Sequence, residues 1–387
     1  MKKLYLLLFL PYLITCALLS ADSSFSDFDV YQSTINKETA TKQLATYLEN
    51  GNSCKDYYTI SNDAFYLFAS PADKQANKPE FVLTFGTKQK PTLPTFTPDL
   101  SSNKPLTGLR IALDPGHVGG KYARAEERYI DLDIQTPEGI KAVQFDEGTL
   151  AVATAKILAD LLTEFGATVL LTKEQPGQSV YPVDFETWCK QQSLNPAQTD
   201  FRKTYNGLDL IARAEKINAF EPHVTLMIHY NGGDRYPNGK NIPTSDNHCL
   251  MFTPGSFAQG ELAKPEARYE FIRLLVTESA KNSEEFSKII AKTIEQELGI
   301  PLLNTSLYMP DTTKLRVPGV YARNLALTRR VRSTLCYGET LLQDNIEEAQ
   351  RLAQTDVDID GIQTSSRVVA VAKAYFKGIC RFFGIGN

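Results

Sequence analysis

A chain of 387 residues, 42% apolar and 22% charged, is long enough for two or three domains and apolar enough to close a sizeable core. That composition excludes a largely disordered or collagen-like polymer. The 41 Lys and Arg stand against 45 Asp and Glu, a net charge of -4, so the basic excess of a nucleic-acid binder is missing and no such partner is expected.

Residues 1–21 read as an address. Lys2 and Lys3 precede an apolar run over 4–19 that is short for a membrane span and ends in small residues, the pattern of a removed secretory signal. The sequence Leu13-Ile-Thr-Cys16 resembles a lipoprotein cleavage box with Thr where Gly, Ala or Ser is usual, so a lipid anchor on Cys16 is the alternative. Either way the mature protein is expected outside the cytoplasm, in the periplasm or cell envelope. Without Cys16, an odd set remains: Cys54, Cys189, Cys249, Cys336 and Cys380. They are widely spaced and lack a C-x-x-C, so neither a disulfide scaffold nor a thiolate zinc site is expected, and Cys249 and Cys336 read as buried strand residues.

Residues 22–104 form an N-terminal module ending in a proline-rich linker, with a boundary near 104. From 105 to 387 strands and helices alternate. Apolar runs predict strands over 109–113, 167–172, 224–228, 250–252 and 333–337. Helical spacing predicts helices over 149–165, 208–220 and 368–383. A further helix is expected to start at the capping box Asn282-Ser-Glu-Glu285 and stop at Gly299. The fold class is therefore α/β: a central, largely parallel twisted sheet flanked by helices, with a small N-terminal module.

In such sheets ligands bind beyond the carboxyl ends of the strands. His117 follows the first strand, His229 ends the third, and Glu339 follows the 333–337 strand. Glu147 opens a helix whose N-terminus lies at the same edge. Two imidazoles and one carboxylate make a three-ligand zinc set with a position left for water, and a second carboxylate can take a proton from that water. Any one of these residues alone reads as structural; a Glu at a helix start commonly complements the helix dipole. The other two histidines fit that plainer role, His223 at the entrance to a strand and His248 in a polar stretch.

The motifs carrying these residues resemble those of the zinc-dependent N-acetylmuramoyl-L-alanine amidases. They are Ile111-Ala-Leu-Asp-Pro-Gly-His117, Glu147 before Leu150-Ala-Val-Ala, Gly166-Ala-Thr-Val-Leu-Leu-Thr172, Arg213 and Asn218 ahead of a strand, Met227-Ile-His-Tyr-Asn231, and Glu339 before Asn345. The resemblance implies Zn²⁺ held by His117, Glu147 and His229, with Glu339 catalytic, and peptidoglycan as substrate for cell-wall remodelling or daughter-cell separation. Asn231, Arg316 and Arg330 are expected substrate contacts. The last two belong to a cluster with Arg323, Arg329 and Arg332 that could pair with stem-peptide carboxylates.

Relative to the family pattern, segments 118–146, 173–206 and 234–282 are enlarged, and the Gly-Phe that often follows the late Glu is absent. The 265–279 stretch of the third insertion predicts an amphipathic helix, either packed permanently or covering the zinc until an activator partner withdraws it. Two other classes compete. Ser101-Ser-Asn-Lys104, Ser245-Asp-Asn247 and Lys292-Thr-Ile294 loosely match a serine-type penicillin-binding peptidase. A non-catalytic peptidoglycan-binding division protein would have lost a ligand, and none of the four residues is lost.

Overall fold

The computed structural model describes residues 24–91, 95–306 and 309–386, so the leader, Cys16 and part of the proline-rich run lie outside the described residues. Three antiparallel strands, β1 (Tyr58–Ile60), β2 (Ala64–Leu67) and β3 (Phe81–Thr84), belong to the N-terminal region. Next come β4 (Arg110–Pro115), the hairpin β5 (Tyr129–Thr136) and β6 (Gly139–Asp146), and β7 (Thr168–Leu171). β8 (Val224–Asn231), β9 (Leu250–Thr253), β10 (Thr312–Lys314), β11 (Val320–Arg323) and β12 (Thr334–Leu342) follow.

The central sheet has seven strands in the order β10-β11-β9-β12-β8-β4-β7. Four of its six neighbouring pairs are parallel; β9 against β12 and β10 against β11 are antiparallel. β8 is buried along all but its last residue, as befits a central strand covered on both faces.

Side chains alternate between two differently covered faces. On one, Ile228, Met251 and Cys336 meet the helices Glu147–Glu164, Ser279–Leu298 and Ser366–Phe382 in the largest core. Each fully buried Leu or Ile there contributes roughly 1.5–3 kcal/mol. On the other, Ala112, Met227 and Leu335 meet the Asn206–Phe220 helix, which covers only one end of the strands. Further along the same face Tyr337 and Glu339 are half-buried, and there the sheet opens to a cavity.

Three expectations about element ends need correction. β8 runs to Asn231, so His229 lies within the strand and does not end it. β12 continues to Leu342, so Glu339 lies inside the strand and pairs in register with His229. The helix predicted from Asn282 begins at Ser279, and Ser283 accepts a hydrogen bond from Leu335 N at 3.0 Å instead of capping. Gly299, at φ 70°, closes it as expected. The five described cysteines are buried and unpaired, and Cys336 is a strand residue. Among the described residues no helix is long and apolar enough to cross a membrane.

The Pro265–Thr277 helix forms, but it is buried almost all round. Phe271, Leu275 and Val276 share a core with Phe28, Leu48, Phe65 and Leu83 of the N-terminal region. Arg268 forks onto Glu80 at 2.6 and 2.9 Å, and Tyr269 Oη donates to Asp27 at 2.8 Å. No residue of this helix lines the cavities around His117. Of the two expectations for this helix, the structure shows the permanently packed one: its burial against residues 28–83 makes it part of the framework, not a cover over the site.

Candidate active site

The site grows from three neighbouring strands. β4 ends in Asp114-Pro-Gly-His117, and each residue of that turn is fixed by what it meets. Buried Asp114 receives Arg213 through Nε at 2.8 Å and Nη2 at 2.6 Å, with Thr172 Oγ1 at 2.6 Å. A Cβ on Gly116 would lie 2.4 Å from the His229 ring, so only glycine lets the two histidine segments approach. His117 itself takes φ 59°, in the left-handed region that a non-glycine residue occupies at a cost. Arg213→Met would leave Asp114 as an unpaired buried charge. The expected cost is about 3–5 kcal/mol in urea unfolding.

Glu147, the first residue of its helix, sits between the imidazoles. Its Oε2 is 3.2 Å from His117 Nε2, and its Oε1 is 3.0 Å from His229 Nδ1 and accepts from Tyr230 N at 3.2 Å. The three residues present ligand atoms all within 4.8 Å of one another. His229 is buried, its Nε2 has no hydrogen-bond partner among the described residues, and its ring stacks on Tyr337 at 4.3 Å. Burial pushes His229 down to about 4, against the attraction of Glu147. Burial opposes ionisation of Glu147 too, but the neighbouring histidines hold it well below the usual carboxylate range. A neutral imidazole, a carboxylate and an orphaned buried nitrogen form a donor set suited to a divalent cation.

Glu339, beside His229 in the sheet, makes no ion pair among the described residues. Burial and the charge of Glu147 push it up to about 8. A cavity of about 320 Å³ brings His117, Glu147, Tyr337 and Glu339 together with Asn231, Arg128, Arg235 and Arg323. A smaller one of about 150 Å³, lined by Leu210, Leu325 and Leu327, opens on the other side of His117 and Tyr337.

Several expected residues lie elsewhere. Arg316 is exposed, Arg330 is held through its carbonyl by Asn218 Nδ2 at 3.0 Å, and neither lines a cavity. Arg329 and Arg332 line none either; Arg323 alone of that cluster does, and Asn231 does too. His223 serves the opposite end of the sheet, where its Nδ1 accepts from Arg110 N at 3.0 Å; His248 lines neither cavity. Asp344 Oδ2 accepts from Gly233 N at 2.6 Å, which ties it to a turn. The penicillin-binding pattern does not assemble: Ser101 donates to Asp99 on the surface, Ser245 is exposed, and Lys292 pairs with Glu295 on an exposed helix face.

The sequence reading missed Glu126. Its Oε2 accepts from Val118 N and Gly119 N, both at 2.9 Å, and its Oε1 faces His117 Nδ1 at 3.4 Å with no other partner among the described residues. A carboxylate there holds the imidazole in the tautomer that leaves Nε2 free to ligate. Glu126→Gln is expected to weaken the affinity of the His117, Glu147 and His229 set for a divalent cation roughly 10–100-fold in competitive chelator titrations, while the fold survives.

A family model described as N-acetylmuramoyl-L-alanine amidase matches residues 111–379. The chain belongs to this family. No curated protein sequence matches it. Among solved structures it is similar to the CwlD amidase of Clostridioides difficile in complex with the GerS lipoprotein, at 18% identity. That alignment covers 71% of this chain and 98% of that one, with a TM-score of 0.41. It is also similar to the N-acetylmuramyl-L-alanine amidase Ami1 of Mycobacterium smegmatis, at 15% identity, 72% and 98% coverage and a TM-score of 0.42. The catalytic domain of CwlV from Bacillus (Paenibacillus) polymyxa var. colistinus aligns at 15% identity, 72% and 99% coverage and a TM-score of 0.37. Family membership rests on the sequence match, which spans every residue of the His117, Glu147, His229 and Glu339 constellation.

Proposed function

We propose that the protein is a zinc-dependent N-acetylmuramoyl-L-alanine amidase that cleaves the amide between the lactyl group of N-acetylmuramic acid and L-alanine in peptidoglycan. The observation that carries the reading is the convergence of His117, Glu147 and His229 within 4.8 Å, beside a fourth, unpaired acidic residue. Zn²⁺ held by those three would polarise the scissile carbonyl and bring the pKa of a bound water towards ~7.

The chain's own residues divide the remaining work. Glu126 and Glu147 orient the imidazoles, and Tyr337 backs the His229 ring. Glu339 takes the proton of the attacking water and delivers it to the leaving nitrogen, so that the peptide departs as a free amine. A carboxyl whose affinity for the proton is raised by burial and by Glu147 suits both halves of that exchange.

The substrate polymer lies outside the cytoplasm, and we assign residues 1–21 to export there. Wall remodelling or daughter-cell separation is the role we assign to the cleavage. An activator that withdraws the Pro265–Thr277 helix has no place in this reading, because that helix does not reach the site. The test is metal analysis of the purified protein together with mass spectrometry of digested peptidoglycan. Zinc near one equivalent and free stem peptides with intact muramic acid are expected. Cleavage at another bond, or full activity after chelation, would overturn the proposal.

A further inference from the structure

The wall of the larger cavity carries, beside the carboxylates Glu127, Glu147 and Glu339, guanidinium groups that the hydrolysis above does not use. Three arginines line it: Arg128, Arg235 and Arg323. Arg235 is committed to structure, donating to Gly239 O at 3.0 Å and to Tyr129 O with its guanidinium 4.0 Å from the Tyr129 ring centre. The other two retain free donors. Arg128 donates Nη1 to Glu127 O at 3.3 Å and brings Nε to 4.0 Å from Glu147, leaving Nη2 without a partner among the described residues. Arg323 is fixed through Nε to Asp311 Oδ2 at 3.0 Å and lies 5.1 Å over the Phe252 ring, which leaves both of its Nη groups unengaged among the described residues.

The two differ from the many surface arginines in the way they are held. Arg323 is 22% exposed, and its anchored Nε leaves the Nη donors to face a ligand. Arg128, 40% exposed, reaches the same cavity from the segment ahead of β5. Glu339 forms no ion pair with either; Arg128 meets Glu147 only through Nε at 4.0 Å and Arg323 meets Asp311 only through Nε at 3.0 Å, so the outer donors of both guanidinium groups stay open to a ligand. Planar guanidinium donors with free hydrogens, in a partly dehydrated pocket, are matched to carboxylate oxygens.

We infer that Arg128 and Arg323 form a carboxylate-binding subsite, which seats a free carboxylate of the leaving peptide close to the scissile amide. This rests on the amidase reading and deepens it by naming the substrate class: an acidic stem peptide rather than its amidated form. In a muramoyl-L-alanyl-γ-D-glutamyl peptide, the residue after alanine carries such a carboxylate one position from the bond to be cut.

The experiment compares N-acetylmuramoyl-L-alanyl-γ-D-glutamyl-L-lysine with its analogue amidated at the glutamate α-carboxylate. The parent enzyme should favour the acid in kcat/KM by roughly 10–100-fold, mostly through KM, as charge-assisted hydrogen bonds allow. Arg128→Met with Arg323→Met should reduce kcat/KM on the acid to the level of the amide. Arg323→Lys, which keeps the charge without the planar fork, should fall between. Arg332→Met, outside both cavities, should keep the preference. Calorimetric binding of both compounds to Glu339→Gln protein reads the same preference without turnover. Equal hydrolysis and equal binding of acid and amide overturns the subsite and leaves the amidase reading standing. Preferential binding of the acid with hydrolysis of neither overturns the amidase reading instead and leaves the subsite standing.

Discussion

His229→Ala protein should purify without zinc and without measurable amidase activity, yet folded. The three-residue set has no spare member, and the imidazole removed is the one whose Nε2 is buried without a partner among the described residues. Losing a ligand outright should weaken zinc binding well beyond the ~10–100-fold typical of a lost supporting contact. Metal binding to the folded state alone raises stability by mass action, so added zinc should lift the melting temperature of the parent and not of the variant. His223→Ala is the matched control, since that ring accepts from Arg110 N at the far end of the sheet. It should retain metal and turnover. Full zinc occupancy in His229→Ala protein would refute the ligand set.

The parts of this architecture legible in the sequence are those with strong local signals. β4 and β8 are central strands covered on both faces, so they read as largely apolar runs, interrupted at Arg110 and Thr225, and the glycines at 166 and 299 mark helix ends through their left-handed φ of 97° and 70°. His117, Glu147 and His229 were recognisable because each lies at or near the element end that the α/β rule places on one edge, although β8 runs two residues past His229. Glu339 was recognisable by motif but misplaced, because Gly338-Glu339-Thr340 interrupts the apolar run that strand reading depends on; those residues stay in the strand because their partners on β8 and β9 continue.

What escaped depends on contacts distant in sequence. Glu126 lies in the run Arg124-Ala-Glu-Glu-Arg128, which reads as a solvated charged face; only the tight turn at 117–120 brings its carboxylate under His117. The burial of the Pro265–Thr277 helix depends on residues 28–83, more than 180 positions away, and its pairing with Glu80 has no local signature. The arginines followed the same rule. A cluster near 316–332 is visible as composition, but which guanidinium enters the cavity is decided by strand register, and β11 delivers Arg323 while Arg316 and Arg330 stay outside.

Glu339→Gln should separate metal holding from catalysis. Glutamine preserves the size of the side chain and removes its ability to accept the proton. Zinc content is expected to match the parent, because Glu339 is not among the three convergent ligands and makes no hydrogen bond or ion pair to them among the described residues. Fold stability should not fall: a neutral amide avoids the desolvation and the repulsion from Glu147 that raise the carboxyl to about 8. Turnover should drop roughly 10²–10⁴-fold, the range for removal of a general acid–base. Peptidoglycan sedimentation with the inactive protein should persist, since the other residues lining the cavity, Asn231 among them, are left in place. Asp344→Asn is the discriminating companion. That carboxylate caps Gly233 N at 2.6 Å and lines neither cavity, so its loss should cost stability before rate. Near-parent activity in Glu339→Gln, together with inactivity of a zinc-loaded Asp344→Asn, would transfer the proton-carrying role to Asp344. The half-buried position of Glu339 on the open face of β12, in register with His229, argues for the opposite result.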